Sequence, residues 1–444
     1  MAGKDHEKKH SMFDLFAGCG GLSTGMEQAN FEPLLVNELN EDAMATYLAN
    51  RDHLVGPFFF KDRIDLHYAD VHHLTQEAME GIWKMLSEEG LLGWEWGKRG
   101  SNLDLICGGP PCQGYSGIGH RRSYSVEKKE IPSNQLYIKM KEVIDFFKPR
   151  IFLFENVKGL LTARWDGNGK KGEIWENVRN EFEKLTDYTV RWSLVKAKDY
   201  GVPQNRPRVL LVGIRNDILS RTTILEPDNH TEDAIECGFL PAPEGIAPNP
   251  EELLSDLVDS QVKEALLTQN FPSDFSTKTY LHPPKNEIQR KLRLRNGKLM
   301  KKGSELTEQE YSKHGAKIVE KFQHMLENNG EIPEKLKTKK FAQRVIPRKW
   351  GKDGPNITAT SLADDYVHYE QPRALTVREW ARLQMFPDWY EFKGIRTTGG
   401  LRRAGNPRVG NFDREVPKYT QIGNAVPVEL ARKVGEHFRN ILEH

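Results

Sequence analysis

Four short apolar segments in the first part of the chain each run into a turn that carries glycine, asparagine or an acid. They are SMFDLF (11 to 16), EPLLVNE (32 to 38), LDLICGG (103 to 109) and RIFLFENV (150 to 157), and such segments are typical of buried strands. Between the last two, apolar residues recur at helical spacing and end just before Pro149: Leu136, Met140, Val143, Ile144 and Phe147. A strand, a helix and another strand indicate a right-handed crossover in a parallel sheet. The sequence therefore predicts an α/β fold, a mostly parallel sheet with helices on both faces, whose ligand sites lie at the carboxyl ends of the strands.

The alternation of strands and helices stops after VRWSLV (190 to 195) and RVLLVGI (208 to 214). From about 216 to 350 the chain is rich in proline, asparagine and charge, which predicts a separate, irregular module. We expect a larger domain over residues 1–215, completed by 415–444, and a smaller domain over 216–414.

Two later segments again predict helices. Thr376 and Glu379 have the spacing of a capping box, so TVREWARLQ should form a helix over about 376–386 that Pro387 ends. The last helix, around 428 to 442, places an apolar stripe on one face, formed by Leu430, Val434, Phe438 and Ile441.

Charge is unevenly distributed, although the net charge of the chain is only +1. Residues 226–264 carry 11 acidic residues and one lysine, whereas 285–349 carry 18 basic and 8 acidic residues. The second stretch predicts either a surface that binds a polyanion or a solvated helical face.

Composition also excludes several classes of protein. No apolar run reaches the roughly 20 residues that span a bilayer, and the start lacks the apolar stretch of a secretory signal. The four cysteines form no CxxC pair and no zinc-ligand spacing, so neither disulfides nor a metal site are expected. These features predict a protein of the cell interior.

The segment FAGCGGLSTG directly follows the first predicted strand. Its glycines would let backbone amides approach a ligand. Glu38, at the end of the next strand, is suited to holding ribose hydroxyls in either an NAD site or an S-adenosylmethionine site. A structural glycine turn is the alternative, and the absence of GK[ST] argues against a phosphate-binding P-loop.

In GGPPCQGYSGIG, Cys112 follows two prolines at the end of a strand and precedes a glycine-bearing loop. The prolines fix the backbone, so this is where a nucleophilic thiol would be presented. Cys107, inside the apolar strand, is the better candidate for core packing.

Two polar motifs accompany this cysteine. Glu155 in ENV ends a strand, and a partly desolvated carboxyl group there can donate a proton or form a structural ion pair. In QNRPR, Arg206 and Arg208 are two residues apart and should project to the same side, where a guanidinium group can bind a carbonyl or a carboxylate.

Taken in order, these segments resemble the DNA (cytosine-5) methyltransferase family, specifically its compact restriction-modification type. The resemblance is carried by FAGCGG, GGPPCQGYS, ENVKGL, QNRPR, PRALTVREWARLQMFP and QIGNAVP, spread over residues 12 to 427. It implies a Rossmann-like methyltransferase fold with S-adenosylmethionine as cofactor and S-adenosylhomocysteine as product. Residues 216 to 350 fall where the family carries its variable target-recognition region, and they resemble nothing more specific.

The resemblance also implies roles for individual residues. It makes Cys112 the nucleophile, Glu155 and Asn156 the groups that hold the cytosine edge, and Arg206, with Arg208, the contact to cytosine O2. Around the cofactor it implies Phe16, Ala17, Gly18, Gly20, Gly21, Leu22, Glu38, Asp70, Val71, Pro111, Leu136, Asn424 and Val426. At DNA we expect Gln113, Ser116, Arg121, Arg122, Arg293 and Arg295. Leu39 departs from the family, which often has an aromatic residue after the ribose-binding acid.

The family chemistry accounts for these residue types. A thiolate that adds to cytosine C6 makes C5 nucleophilic toward the sulfonium methyl group, while Glu155 stabilises charge at N3. The target base has to be flipped out of the duplex. The glycine-bearing and basic loop after Cys112 is suited to closing over DNA.

Three other functions compete with duplex DNA methylation. A transfer-RNA methylase would share the scaffold, but its Cys-Phe-Thr stretch is absent. A silent DNA-binding relative would not need nucleophile, acid and cofactor glycines together. An NAD-dependent oxidoreductase would leave PPCQ and QIGNAVP unexplained. The expected partners are duplex DNA and a cognate restriction endonuclease, and we expect a monomer on DNA in a prokaryotic cytoplasm.

Overall fold

The computed structural model describes residues 9–51, 63–93, 102–111, 135–166, 168–223, 225, 231–337, 343–349, 355–359, 363, 365–398 and 415–444. Seven strands form the main sheet: β1 (His10–Leu15), β2 (Phe31–Asn37), β3 (His67–Tyr68), β4 (Leu105–Gly108), β5 (Ile151–Val157), β6 (Tyr188–Lys196) and β7 (Pro207–Arg215). Their order is β3-β2-β1-β4-β5-β7-β6. Strands β1 to β5 are parallel, and β7 runs antiparallel to both β5 and β6. The predicted mostly parallel α/β fold is confirmed.

Helices alternate with the strands in the first part of the chain. They are α1 (Gly21–Gln28), α2 (Glu41–Ala49), α3 (Gln76–Glu88), α4 (Leu136–Phe147) and α5 (Glu173–Glu183). The predicted helix between β4 and β5 is α4, and its apolar stripe is buried except for Leu136, which is half-buried.

The stretch from 216 to 350, which we expected to be irregular, contains several short elements. They are α6 (Asn216–Leu219), α7 (Pro250–Leu254), α8 (Ser260–Thr268), α9 (Glu287–Leu292), the hairpin β8 (Leu294–Arg295) and β9 (Lys298–Leu299), α10 (Ala316–Glu327) and β10 (Arg344–Val345). After it come β11 (Tyr366–Val367), α11 (Val377–Arg382), α12 (Lys418–Asn424) and α13 (Val428–Glu443).

The predicted capping box starts α11, since the side chains of Thr376 and Glu379 each bond the other's backbone N–H. The helix ends earlier than expected. Met385 adopts a left-handed backbone with φ 62°, and the N–H of Phe386 reaches back to the carbonyl of Ala381 at 3.1 Å. This arrangement satisfies helix carbonyls and ends the helix before Pro387 is reached.

Alternate residues of the central strands enter two different cores. Met12 of β1 and Cys107 of β4 belong to the first core. Phe13 of β1 and Ile106 of β4 belong to the second core. The first core also contains side chains from 225–257 and from 366–441. The division into two domains at residue 215 stays a prediction, but the packing is continuous across that point.

Helix α13 closes the first core by packing on α1. Its predicted stripe is fully buried. A β-carbon built at Gly25 of α1 would lie 2.4 Å from the β-carbon of Ala431 and 2.4 Å from the carbonyl oxygen of Val428. The two helices can approach this closely only because Gly25 has no side chain.

We therefore expect Gly25→Ala to lower the free energy of unfolding by about 1–3 kcal/mol, because one methyl group forces the helices apart. Gly81→Ala is the matched control, since Gly81 also lies in a helix and a β-carbon there would meet nothing within 4 Å. That control should stabilise the protein by roughly 0.5–1 kcal/mol through helix propensity. Thermal denaturation of both variants checks the expectation, and equal behaviour would contradict it.

Candidate active site

The carboxyl ends of β1, β2, β4 and β5 meet at one edge of the sheet, because these strands are parallel neighbours. The glycine turn follows β1, Glu38 follows β2, the prolines follow β4, and Glu155 and Asn156 lie near the end of β5. The fold therefore brings together the predicted motifs at the edge where ligands of such sheets collect.

The glycine turn has left-handed backbone at three positions. Phe16 and Gly18 have φ 57°, and Gly20 has φ 84°. Such a conformation costs a bulky residue such as Phe16 roughly 1–3 kcal/mol, so the surrounding structure must hold it. The turn leads directly into α1 at Gly21.

This turn has one open side and one packed side. Among the residues that the structure describes, no heavy atom would lie within 4 Å of a β-carbon at Gly18. One at Gly20 would lie 2.8 Å from the hydroxyl oxygen of Tyr390, and one at Gly21 would lie 2.4 Å from the carbonyl oxygen of Val426. The open side can accept a ligand, while the packed side holds the backbone in place.

Glu38 is bound to the same turn. Its Oε2 accepts a hydrogen bond from the N–H of Gly18 at 2.8 Å, and its Oε1 accepts one from the N–H of Asn40 at 2.8 Å. Burial raises the pKa of Glu38, and these two hydrogen bonds oppose the shift. Each carboxylate oxygen keeps capacity for a further hydrogen bond, so the group can accept hydroxyl donors.

Asn37 is a positioning residue that the sequence interpretation missed. It is buried, and its Nδ2 donates to the carbonyl oxygens of Tyr68 and Ala69, both at 2.9 Å. Its Oδ1 accepts from the N–H of Phe16 at 3.3 Å. One side chain thus ties together the ends of β1, β2 and β3, and the signal was an amide at the end of an apolar strand.

Asp70 begins a short 3-10 turn after β3, where its Oδ1 accepts from the N–H of His72 at 2.9 Å. Val71 is buried in the same core that half-buried Leu136 packs against. Leu39 is 72% exposed beside Glu38.

The C-terminal segment lies against the start of α1. Asn424 ends α12 and is exposed, whereas Val426 is buried. Ala17 and Leu22 are also buried.

On β5, Glu155 contacts an arginine with one oxygen and a glycine loop with the other. Its Oε1 lies 2.6 Å from Nε of Arg208. A β-carbon built at Gly109 would lie 2.6 Å from Oε2 of Glu155, so only glycine fits at this position. The carboxylate is 8% exposed and faces the loop that leads to the two prolines.

Asn156 holds that loop. Its Nδ2 donates to the carbonyl oxygen of Pro110 at 3.2 Å, and its Oδ1 accepts from the N–H of Val157 at 2.9 Å. Pro110 is buried and Pro111 is exposed. The end of β5 therefore sets the position of the chain just before Cys112.

The two arginines of QNRPR do not project to the same side. Arg206 precedes β7, and its guanidinium donates to the carbonyl oxygens of Ile357 at 3.0 Å and Gly423 at 2.6 Å. Burial, together with the positive charge of Arg208, lowers the pKa of Arg206 well below its usual range. Because Arg208 and not Arg206 contacts Glu155, we move the expected cytosine contact from Arg206 to Arg208.

Several predicted residues lie outside the described residues, namely Cys112, Gln113, Ser116, Arg121 and Arg122. Their roles stay predictions.

The expectation that Arg293 reaches DNA is corrected. Arg293 is 0% exposed, pairs with the carboxylate of Asp256 and stacks on the ring of Tyr280. Arg295, on β8, is exposed. Its expected contact with DNA stays a prediction.

Among the described residues, no group of three His, Cys, Asp or Glu side chains could hold a metal ion. In the same part of the chain, we find no helix with the length and apolar character needed to span a membrane.

Known proteins resemble this chain over almost its whole length. The Type II methyltransferase M.DdeI of Desulfomicrobium norvegicum is 28% identical over 97% of this chain and 90% of its own. The Type II methyltransferase M.XorII of Xanthomonas oryzae pv. oryzae is 29% identical over 95% of this chain and 82% of its own.

A solved structure shares the fold. A putative DNA modification methyltransferase encoded in an Escherichia coli prophage superposes with a TM-score of 0.64 at 21% identity, covering 98% of this chain and 100% of its own. The family profile described as C-5 cytosine-specific DNA methylase matches residues 10–82 and 93–440. The chain therefore belongs to the C-5 cytosine-specific DNA methylase family.

Proposed function

We propose that the protein methylates C5 of cytosine at a specific sequence in duplex DNA, taking the methyl group from S-adenosylmethionine. The observation that carries this proposal is the Glu155 and Arg208 pair, which lies against Gly109 where the loop toward Cys112 begins. A carboxyl group and a guanidinium group side by side can bind the N3, amino and O2 edge of a cytosine.

The glycine turn and Glu38 fit an S-adenosylmethionine pocket. The open side of Gly18 leaves room for a ligand, and the free acceptor capacity of Glu38 suits two ribose hydroxyls. Asp70, Asn424 and Val426 would bound the same pocket. When bound, S-adenosylmethionine supplies an electrophilic methyl group.

Cys112 is the best candidate for the nucleophile. The other three cysteines, Cys19, Cys107 and Cys237, are buried, and burial raises the pKa of each thiol. Thiols of that kind stay protonated at neutral pH and are poor nucleophiles. Pro111, the residue before Cys112 in the sequence, is exposed and follows β4 at the edge of the sheet where Glu155 lies.

In the proposed reaction, the Cys112 thiolate forms a bond to cytosine C6, and the ring electrons move toward C5. Glu155 holds a proton at N3 and stabilises the charge that develops there, with Arg208 binding O2. C5 then takes the methyl group as the sulfonium S–C bond breaks, and the bonding electrons stay on the sulfur of the product S-adenosylhomocysteine. Loss of the C5 proton to a base, for which water is our proposal, returns the electrons, and the sulfur leaves C6 as a thiolate to release 5-methylcytosine.

The base has to leave the duplex for this to happen, at a cost of a few kcal/mol. Gln113, Ser116, Arg121 and Arg122, in the loop after Cys112, are the residues we propose to offset that cost by contacting the opened duplex and its phosphates.

The names of the Type II relatives support a role in a restriction-modification system. A cognate endonuclease acting on the same site, a monomeric state on DNA and a bacterial cytoplasmic location are parts of this proposal. Methylation of transfer RNA on the same scaffold is the weaker alternative, because the family profile and both curated relatives are those of DNA methylases and Type II methyltransferases.

Base-resolution mapping of DNA from cells that express the protein should reveal 5-methylcytosine at one recurring sequence. Cys112→Ala should abolish it, because no other described thiol can add to C6. Labelled methyl transfer to transfer RNA is the parallel assay, and transfer to RNA but not to duplex DNA would overturn the proposal.

Arg208→Lys should lower the rate of methyl transfer by about 10²- to 10³-fold, because it removes an electrostatic contact to the reacting base. Arg206→Lys should instead lower the free energy of unfolding by roughly 1–3 kcal/mol, since Arg206 bonds only backbone carbonyls. Single-turnover rates and thermal denaturation separate the two. If Arg208→Lys kept the full rate of methyl transfer while Arg206→Lys stayed stable but lost activity, the cytosine contact would belong to Arg206.

Glu38→Gln should weaken S-adenosylhomocysteine binding by about 10-fold or more, because two charge-assisted hydrogen bonds are lost. Since burial raises the pKa of Glu38, affinity of the unchanged protein should also fall as the pH is lowered and the carboxylate takes up a proton. Glu41→Gln, on the exposed first turn of α2, is the control. Calorimetric titration over pH measures both effects, and equal affinities would contradict the role of Glu38.

A further inference from the structure

Two side chains just before β7 point into the molecule. Gln204 is 0% exposed and Arg206 is 3% exposed. Arg208, two residues after Arg206, is the one that contacts Glu155. The segment 204–208 therefore contacts the proposed cytosine pocket through Arg208 and the C-terminal third of the chain through Gln204 and Arg206.

Gln204 forms a buried amide pair with Gln384, which follows α11. The Nε2 of Gln204 donates to Oε1 of Gln384 at 2.7 Å and to the carbonyl oxygen of Leu383 at 2.7 Å. The Nε2 of Gln384 donates in turn to the carbonyl oxygens of Ile422 at 2.7 Å and Ala425 at 3.1 Å. The pair thus connects the segment before β7 to the segment that ends at the proposed methyl-donor pocket.

Arg206 makes a second connection to the same segment through the carbonyl oxygen of Gly423, at 2.6 Å. Its other hydrogen bond, to Ile357 at 3.0 Å, also goes to a carbonyl. Gln204 contacts the same residue, since its Oε1 accepts from the N–H of Ile357 at 3.4 Å. Arg206 and Gln204 therefore connect the segment before β7 both to Ile357 and to the C-terminal segment.

The C-terminal segment in turn touches the glycine turn. A β-carbon built at Gly21 would lie only 2.4 Å from the carbonyl oxygen of Val426. The thiol of Cys19 donates to the carbonyl oxygen of Gln421 at 3.4 Å. A shift of residues 421–426 would therefore change the shape of the turn that we propose to bind the methyl donor.

We infer that Gln204, Arg206 and Gln384 are positioning residues that couple the cytosine pocket to the methyl-donor pocket. A base bound at Glu155 and Arg208 favours one position of the segment before β7. Through the amide pair of Gln204 and Gln384, this position in turn sets the position of residues 421–426. The binding of DNA and of the methyl donor is then linked, and each raises the affinity for the other by the same factor. This inference rests on the proposed function, which assigns the two pockets their ligands.

The test is a thermodynamic cycle on the full chain. Calorimetry gives the Kd of S-adenosylhomocysteine for the free protein and for its complex with a duplex that carries the mapped target site. In the unchanged protein we expect the two values to differ by about 5-fold or more. In Gln384→Met, which keeps the side-chain volume but removes the amide, we expect a ratio within about 2-fold of unity.

Gln289→Met is the matched control. Gln289 is also 0% exposed, and its side chain accepts a hydrogen bond from the N–H of Lys285 and donates to the carbonyl oxygen of Glu252 and the hydroxyl of Ser255. The variant Gln289→Met should lose as much thermal stability as Gln384→Met but keep the full ratio between the two Kd values. If Gln384→Met does not fold, Gln204→Met removes the same link from the other side.

Full coupling in a folded Gln384→Met or Gln204→Met, a ratio near one in the unchanged protein, or an equal loss in Gln289→Met would each overturn the inference. The proposed function fails separately, through the absence of any mapped 5-methylcytosine, and would take this inference with it. A mapped target with undiminished coupling in the variants would overturn the inference alone.

Discussion

The close packing of α1 against α13 is the contact on which the site depends most. A β-carbon at Gly435 would lie 2.8 Å from the β-carbon of Ala29, so small residues are needed on both helices. This packing lays the last 30 residues of the chain, 415–444, against a turn that follows the first strand. The glycine turn and the start of α1 are therefore held in place by residues that are about 400 positions away in the sequence.

A second constraint is the pairing of buried charges in the region that follows the sheet. Arg382 lies between Asp256 and Asp388, and Arg373 contacts Glu379 through two nitrogens at 2.7 Å. Although burial opposes it, the Arg382 guanidinium lowers the pKa of Asp388 to about 2, and Arg373 lowers that of Glu379 to about 2. Breaking one partner of such a pair costs about 3–5 kcal/mol, so this region is held by directional contacts as well as by apolar packing.

The two arginines of QNRPR show where prediction from sequence ended. Residues two apart share a face only when both lie in a strand, and β7 begins at Pro207, between Arg206 and Arg208. Arg293 failed for a related reason. Lys291 and Arg295, two residues to either side, are exposed and basic, but the carboxylate of Asp256, 37 residues earlier, and the ring of Tyr280 bury Arg293. The contact partners of these arginines cannot be identified from the local sequence pattern.

By itself the sequence determined most strands of the main sheet, the helices α4, α11 and α13, the capping box at Thr376 and the set of motifs that identifies the family. These are local properties, because apolar period, turn residues and caps act within a few positions. Only the tertiary structure decided which arginine meets Glu155, that Asn37 joins three strand ends, and that Gln204 and Gln384 pair across the molecule. Those contacts join residues that are far apart in sequence, and their geometry is set by how the sheet, α1 and α13 pack together.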